Sequence, residues 1–347
     1  MLTIAERALQ PLDWVRGSLL RSLVRLPLLR DWLTVRDRRI ALVAAVGIGL
    51  SFLLTLVVPA ALYAIGPIVL GVPHVASDVR YLVVRRGLPR WLSVAVLGGC
   101  GSLFAVRLLE LYAPGDLWPA RLELGIAGTG ALGLVAFAAL QNKSARRRGV
   151  VAASLLAGGF GVALAWPHQA RLVLAHLHNL VAVAIWIALF RSSRRALWLP
   201  LGCLLLASGL LLSGATFSTL VSFGGHEFLG QNLLEVADWL APGLGVLGVN
   251  LTIAYVFWQS IHYSVWLGWI PQEETRGQGS LTFRQSLRSL LGDFGPAGFW
   301  FVASGVVTLV VLATFSLHRT RDVYLFLAGF HAYLEIAMLG FLLVRRD

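Results

Sequence analysis

IALVAAVGIGLSFLLTLVV, residues 40–58, decides the fold. It holds no charged side chain, and Ser51 and Thr55 are its only hydroxyls. A helix of this length rises roughly 28 Å, close to the ~30 Å hydrocarbon thickness of a bilayer. Its apolar residues surround the helix on every side, so it has no face suited to water. Similar stretches recur, and ten candidate spans follow: 40–65, 67–84, 91–113, 120–141, 149–166, 171–190, 196–221, 242–269, 296–317 and 322–344. The second opens with Pro67 and contains Pro73, which predicts a kinked or re-entrant segment.

Composition agrees with this reading. Of 347 residues, 57% are hydrophobic and only 13% charged, against roughly 25% charged in soluble domains. Disorder is excluded by the hydrophobicity. Two cysteines, Cys100 and Cys203, both inside apolar runs, supply neither a disulfide scaffold nor a zinc finger. A transmembrane barrel would alternate polar and apolar positions. The expected fold is all-α, a polytopic transmembrane helical bundle of eight to ten spans.

The net charge of +12 is gathered in the loops, the pattern of cytoplasmic segments against anionic lipid, and no nucleic-acid partner is expected. Arg85, Arg86 and Arg90, then Lys143 with Arg146 to Arg148, then Arg191, Arg194 and Arg195, then Arg345 and Arg346 fall on one side of an alternating path. So does a long loop at 270–295 with Arg276, Arg284 and Arg288. An even count of spans with both termini cytoplasmic satisfies the positive-inside rule; Arg319 and Arg321 are the exception. The expected location is the inner (cytoplasmic) membrane of a bacterial-type cell. Residues 1–39 carry eight arginines among leucines, which predicts a basic amphipathic segment lying at the membrane interface, with 40–347 forming a single transmembrane domain.

Ionisable groups inside a bilayer are functional candidates because each costs roughly 2.5–3.5 kcal/mol on insertion scales. His74 and Asp78 stand one helical turn apart, as do His331 and Glu335. His176 and His178 share the sixth span but face different ways, and His262 lies in the eighth. His74, His178 and His331 fall near mid-span, and His262 lies toward the cytoplasmic half of 242–269, so four histidines from four helices could converge on one site if tilt or an exposed helix start brings His262 level. Histidine with carboxylate suits iron, zinc, manganese or copper, and an open iron centre in particular. Asp78 and Glu335 would then act as ligands or as acceptors that orient an imidazole. His176 and His226 are reserves; the Gly-Gly-His226-Glu227 stretch reads equally as an exposed or a re-entrant loop. His168 and His318 read as solvated. Arg80, taken as the one basic residue within a span, is a candidate partner of Asp78 or Glu335. The bland alternative for every one of these histidines is a hydrogen bond between helices.

Gly71-Val-Pro-His74-Val-Ala-Ser-Asp78 resembles the Gly-x-Pro-His-Gly-x-x-Asp motif of the Brp/Blh-type carotenoid dioxygenases. Those are multi-helix membrane proteins that cleave β-carotene to retinal with a histidine-bound iron. Segments around His178, Gly225-His226 and Ser260-Ile-His262 are similar in order to later histidine segments of that family. The resemblance covers four short stretches. Val75 replaces a glycine, a late histidine pair is represented by His262 alone, and His331 with Glu335 has no counterpart. The resemblance implies His74, His178 and His262 as iron ligands, with Asp78 supporting.

The resulting expectation is a membrane-embedded, iron-dependent oxygenase or related oxidoreductase, taking a lipophilic small molecule (carotenoid-like or another lipid) from the surrounding membrane lipid. Its ligands would be His74, His178, His262 and His331, with Asp78 and Glu335 beside them. The alternatives are a proton-coupled transporter or channel using the histidine–carboxylate pairs, a haem-binding electron-transfer protein, and a scaffold whose histidines only join helices.

Overall fold

In lipid the backbone must satisfy its own hydrogen bonds, and an apolar run does so by coiling into a helix. A computed structural model describes residues 2–112, 115–141, 143–190, 194–275 and 281–345. Its helices are α1 (Leu2–Val24), α2 (Pro27–Thr34), α3 (Arg36–Val57), α4 (Pro59–Leu82), α5 (Arg90–Glu110), α6 (Trp118–Gln141), α7 (Arg146–Ala165), α8 (Pro167–Leu189), α9 (Arg194–Leu212), α10 (Phe217–Ser222), α11 (Leu233–Leu240), α12 (Gly245–Ser264), α13 (Phe283–Phe315), α14 (Leu317–Ala328) and α15 (Phe330–Val344). One short hairpin, β1 (Glu227–Phe228) with β2 (Gln231–Asn232), pairs Glu227 with Asn232 and Phe228 with Gln231. Its turn puts Leu229 and Gly230 at positive φ, as a two-residue hairpin loop requires.

Among the described residues eight helices are long and apolar enough to cross a membrane, and nine spans result if the pair α11 and α12, bent by 102°, counts as one. Ala196–Leu212 is a shorter apolar helix. The chain is therefore an all-α integral membrane protein. The burial of the spans orders them: 56% of the best window of Leu317–Val344 is inside the protein, but none of that of α13. Thus α15 is central, packed on α6 and α8, while α13 lies on the rim against α4.

Several boundaries differ from expectation. The first span ends at Val57 and α4 starts at Pro59, because proline suits the first turn of a helix and hydropathy is blind to a break between apolar residues. α4 then runs unbroken through Pro67 and Pro73, not as a re-entrant segment. The seventh span stops at Leu212 rather than 221, where Gly214 takes φ +75° and the short α10 follows. Within 270–295, residues 283–294 are helical rather than loop; Gly295 (φ +68°, ψ 174°) breaks α13 at the point where the ninth span was expected to begin. Arg191, Arg276 and Arg346, and the side chains of Lys143, Arg194 and Arg195, lie outside the described residues.

The amino-terminal segment is helical, as α1 and α2, and α1 rests on the start of α13. Asp13 accepts from the backbone N–H of Phe283 (2.6 Å) and from Arg284 (2.8 Å), and Glu6 accepts from Arg288 (2.6 Å). Burial works to raise the pKa of Asp13, but the Arg284 guanidinium and the backbone donors outweigh it and hold the carboxyl below its ordinary value.

Candidate metal centre

Four central helices carry one histidine each to a common point: His74 on α4, His178 on α8, His262 on α12 and His331 on α15. Ring centroids lie 4.8 Å apart for His74 and His331, 5.1 Å for His74 and His262, 5.1 Å for His178 and His262, 5.3 Å for His178 and His331, and 5.7 Å for His262 and His331. The convergence expected from depth along the spans is what the structure contains.

Three of the four helices, α4, α8 and α15, also aim their own imidazole. The Nδ1 of His74 lies 3.1 Å from the carbonyl of Leu70, that of His178 3.1 Å from Leu174, and that of His331 2.5 Å from Ala328. A carbonyl only accepts, so in the neutral ring Nδ1 carries the proton and Nε2 presents a lone pair. The Nε2 atoms of His74 and His331 stand 3.2 Å apart. Two lone pairs at that separation repel, and neither ring has a proton left to offer the other. Two imidazole nitrogens on one ion at about 2.0–2.1 Å are separated by roughly 2.9–3.4 Å for angles between 90° and 109°. The spacing suits a shared cation.

The carboxylates sharpen the point. Asp78 and Glu335 are both fully buried. Neither oxygen of Asp78 has a hydrogen-bond partner, nor has Oε2 of Glu335. Glu335 Oε1 accepts from the indole N–H of Trp266 at 2.7 Å and lies 3.5 Å from His262 Nε2. Both nitrogens of His262 are themselves without hydrogen bonds. Buried carboxylate oxygens left bare are costly unless a cation answers them. Two groups of three, His74 with His262 and His331, and Asp78 with His331 and Glu335, each bring their ligand atoms within 4.8 Å of one another. The donor set and its orphaned atoms fit a metal ion; they do not discriminate among iron, zinc, manganese and copper.

The reserves are not brought in. His176 turns toward Tyr255, with centroids 5.3 Å apart. His226 sits just before the hairpin, whose Glu227 accepts from Asn232 instead, at 3.0 Å. Arg80 does not bond Asp78; it pairs with Asp293 at 2.5 Å and with Ser289 at 2.7 Å. His318 is no loop residue, since it opens α14 and bonds the carbonyl of Leu229 at 2.8 Å.

Trp258, Tyr263, Trp266 and Trp269 bracket His262 in sequence and read there as belt, core or wall residues, but the partners they take were not legible. Trp266 lies in a wide helical turn, Val265–Trp269, at the end of α12, and such turns gather at functional sites. Ser77 donates to its carbonyl at 2.6 Å, tying that turn to α4. Tyr263 packs on His74 with centroids 4.8 Å apart. A cavity of ≈ 400 Å³ opens on all four histidines and reaches Arg107, His168, Arg171 and Asp322. His168 is exposed, as expected, and is among the residues lining this cavity. Arg107 and Glu123 are a buried ion pair at 2.6 Å, so Arg80 is not the one basic residue in a span. Arg171 bonds Glu123 as well, and reaches Glu110 at 2.7 and 2.8 Å. A charge in each of the runs 91–113 and 120–141 was the available signal.

No family model matches the chain, and neither does any curated protein or solved structure.

Proposed function

We propose that the chain is a membrane-embedded, iron-dependent oxygenase or related oxidoreductase of a lipophilic substrate, working in the inner membrane of a bacterial-type cell. One observation carries the reading: imidazole lone pairs from separate helices, anchored through Nδ1, face each other at 3.2 Å beside bare buried carboxylates. His74, His262 and His331 would hold the ion, with His178 closing the ring of imidazoles and Asp78 and Glu335 neutralising its charge. Iron bound there would supply oxygen activation. The chain's own part is to fix the imidazoles by their helix carbonyls, to orient Glu335 through Trp266, and to wall the site with Tyr263. The resemblance to carotenoid dioxygenases points to the same chemistry.

A transport reading draws on the cavity that runs from the histidines to Asp322 and Arg171.

The test is metal analysis with an optical spectrum on detergent-purified protein, beside a His74→Ala/His262→Ala variant. Near-stoichiometric iron without a Soret band, lost in the variant, is expected. Wild-type protein that takes up no metal after anaerobic reconstitution overturns the proposal and makes proton-coupled transport the reading to pursue.

A further inference from the structure

A second and larger cavity, ≈ 950 Å³, lies against the lipid-facing rim, between α4, α5, α13 and α14. Along α13 beyond the break at Gly295 it runs from Gly298 to Phe315, roughly 26 Å at 1.5 Å per residue, most of the hydrocarbon depth. Its walls are largely carbon, with Val72, Val79, Phe104 and Leu309 typical of them. Arg319, the one charged residue of the lining, stands at one end with Ser316 and Thr320, while Cys100, Ser304 and Thr308 are small polar groups farther along. Tyr324 and Ala328 line both this groove and the histidine cavity. The Tyr324 hydroxyl is buried and unpartnered, and its ring lies so close to α4 that a Cβ on Gly71 would sit 2.5 Å from it. Tyr324 is thus the partition between a lipid-side groove and the metal centre.

Arg319 is the cation that the positive-inside pattern does not explain. Its neighbour Arg321 is accounted for inside the fold: it bonds Asp322 at 2.7 Å and Gln231 at 2.8 Å, and lies over the ring of Tyr63. Arg319 is exposed, and among the described residues it has no ion-pair partner. A free guanidinium at the mouth of a hydrocarbon-lined groove is complementary to one kind of molecule. A planar carboxylate takes its fork of N–H donors, and a single chain takes the groove.

We infer that the groove binds a long-chain carboxylic acid, its carboxylate on Arg319 and its chain directed along α13 past Tyr324. This names the substrate class of the metal centre, and it rests on the proposed function only for the groove's being a path to a metal. The binding itself does not. The groove borders the histidine cavity at Tyr324 and Ala328, five and nine positions beyond Arg319, so the reactive position would lie along the chain and not at its head.

The experiment is a fluorescence titration of the full chain, in detergent and stripped of metal, with cis-parinaric acid and with its methyl ester. Saturable 1:1 binding of the acid is expected, at least tenfold tighter than the ester. Arg319→Gln, at an exposed residue without a partner, should abolish that preference. Gly101→Phe should weaken acid and ester alike by tenfold or more, since the glycine lines the groove and an added Cβ there meets nothing within 4 Å, and an unchanged melting temperature shows that the fold is kept. Oleate should displace the probe, and phosphatidylglycerol should not. Equal binding of acid and ester, an unaltered preference in Arg319→Gln, wild-type affinity in Gly101→Phe, or displacement by phosphatidylglycerol as readily as by oleate would each overturn the inference. Because the titration is run without metal, its failure is distinct from a failure of the iron reading.

Discussion

Replacing Trp266 by phenylalanine isolates what orients Glu335. The indole is fully buried, and its N–H donates to Glu335 Oε1 at 2.7 Å; His262 Nε2 lies 3.5 Å from the same oxygen. Hydrogen bonds to charged groups contribute about 1.5–3 kcal/mol. Separately, loss of a partner that orients a metal ligand typically lowers metal affinity about 10–100-fold, or about 1.4–2.8 kcal/mol. The two routes agree, so W266F is expected to bind the metal one to two orders of magnitude more weakly. The substitution also removes volume, which must be separated from the lost bond. Trp186 provides the control: it is equally buried, but its N–H has no partner. W186F should therefore lower thermal stability in the metal-free protein without altering affinity. The assay is competition against a chelator of known affinity, with unfolding of the apo forms followed in parallel. Equal metal affinity in W266F and W186F would falsify the role given to the indole.

Further outcomes follow from other parts of the fold. Glu123→Gln leaves Arg107 buried with the carbonyl of Phe326 as its remaining strong acceptor; breaking such a pair costs about 3–5 kcal/mol, a drop in melting temperature on the order of 4–7 °C for a chain of 347 residues, and a shift under 2 °C would refute it. Gly71→Ala drives a Cβ into the Tyr324 ring, so overpacking of about 1–3 kcal/mol is expected, readable as a lower melting temperature together with faster access of a small apolar quencher to Tyr263. The docking of α1 is acid-labile: Asp13 titrates below its unfolded value of 3.8, so its contribution is full above that value and is lost as pH falls through the lower folded one. Hydrogen exchange of α1 amides should rise over that window in wild type, and in Asp13→Asn it should be fast already at neutral pH.

The parts of the centre legible in the sequence were the local ones. His74 with Asp78 and His331 with Glu335 are each one turn apart, and helical spacing alone puts each pair on one face. Which of His176 and His178 looks inward was not legible, because two residues on a helix point about 200° apart and only the packing of α8 selects between them. Trp266 and Glu335 meet across 69 positions of chain, a relation no spacing encodes. The spans themselves were readable from hydropathy, yet the break at Val58 was not, since Val57, Val58, Pro59 and Ala60 are apolar alike. The Arg107–Glu123 pair escaped for the opposite reason: each charge was visible, but its value lies in a partner on the next helix.

The anchoring of His74, His178 and His331 to carbonyls of their own helices makes each ligand a rigid extension of its rod. The distances between them are then set by how deep each rod sits, and depth answers to the thickness of the surrounding hydrocarbon. A bilayer thinner than the spans tilts them and slides the imidazoles past one another, while leaving each one's aim unchanged. Metal affinity in nanodiscs of graded acyl length should accordingly pass through a maximum, making the lipid itself a regulator of the centre.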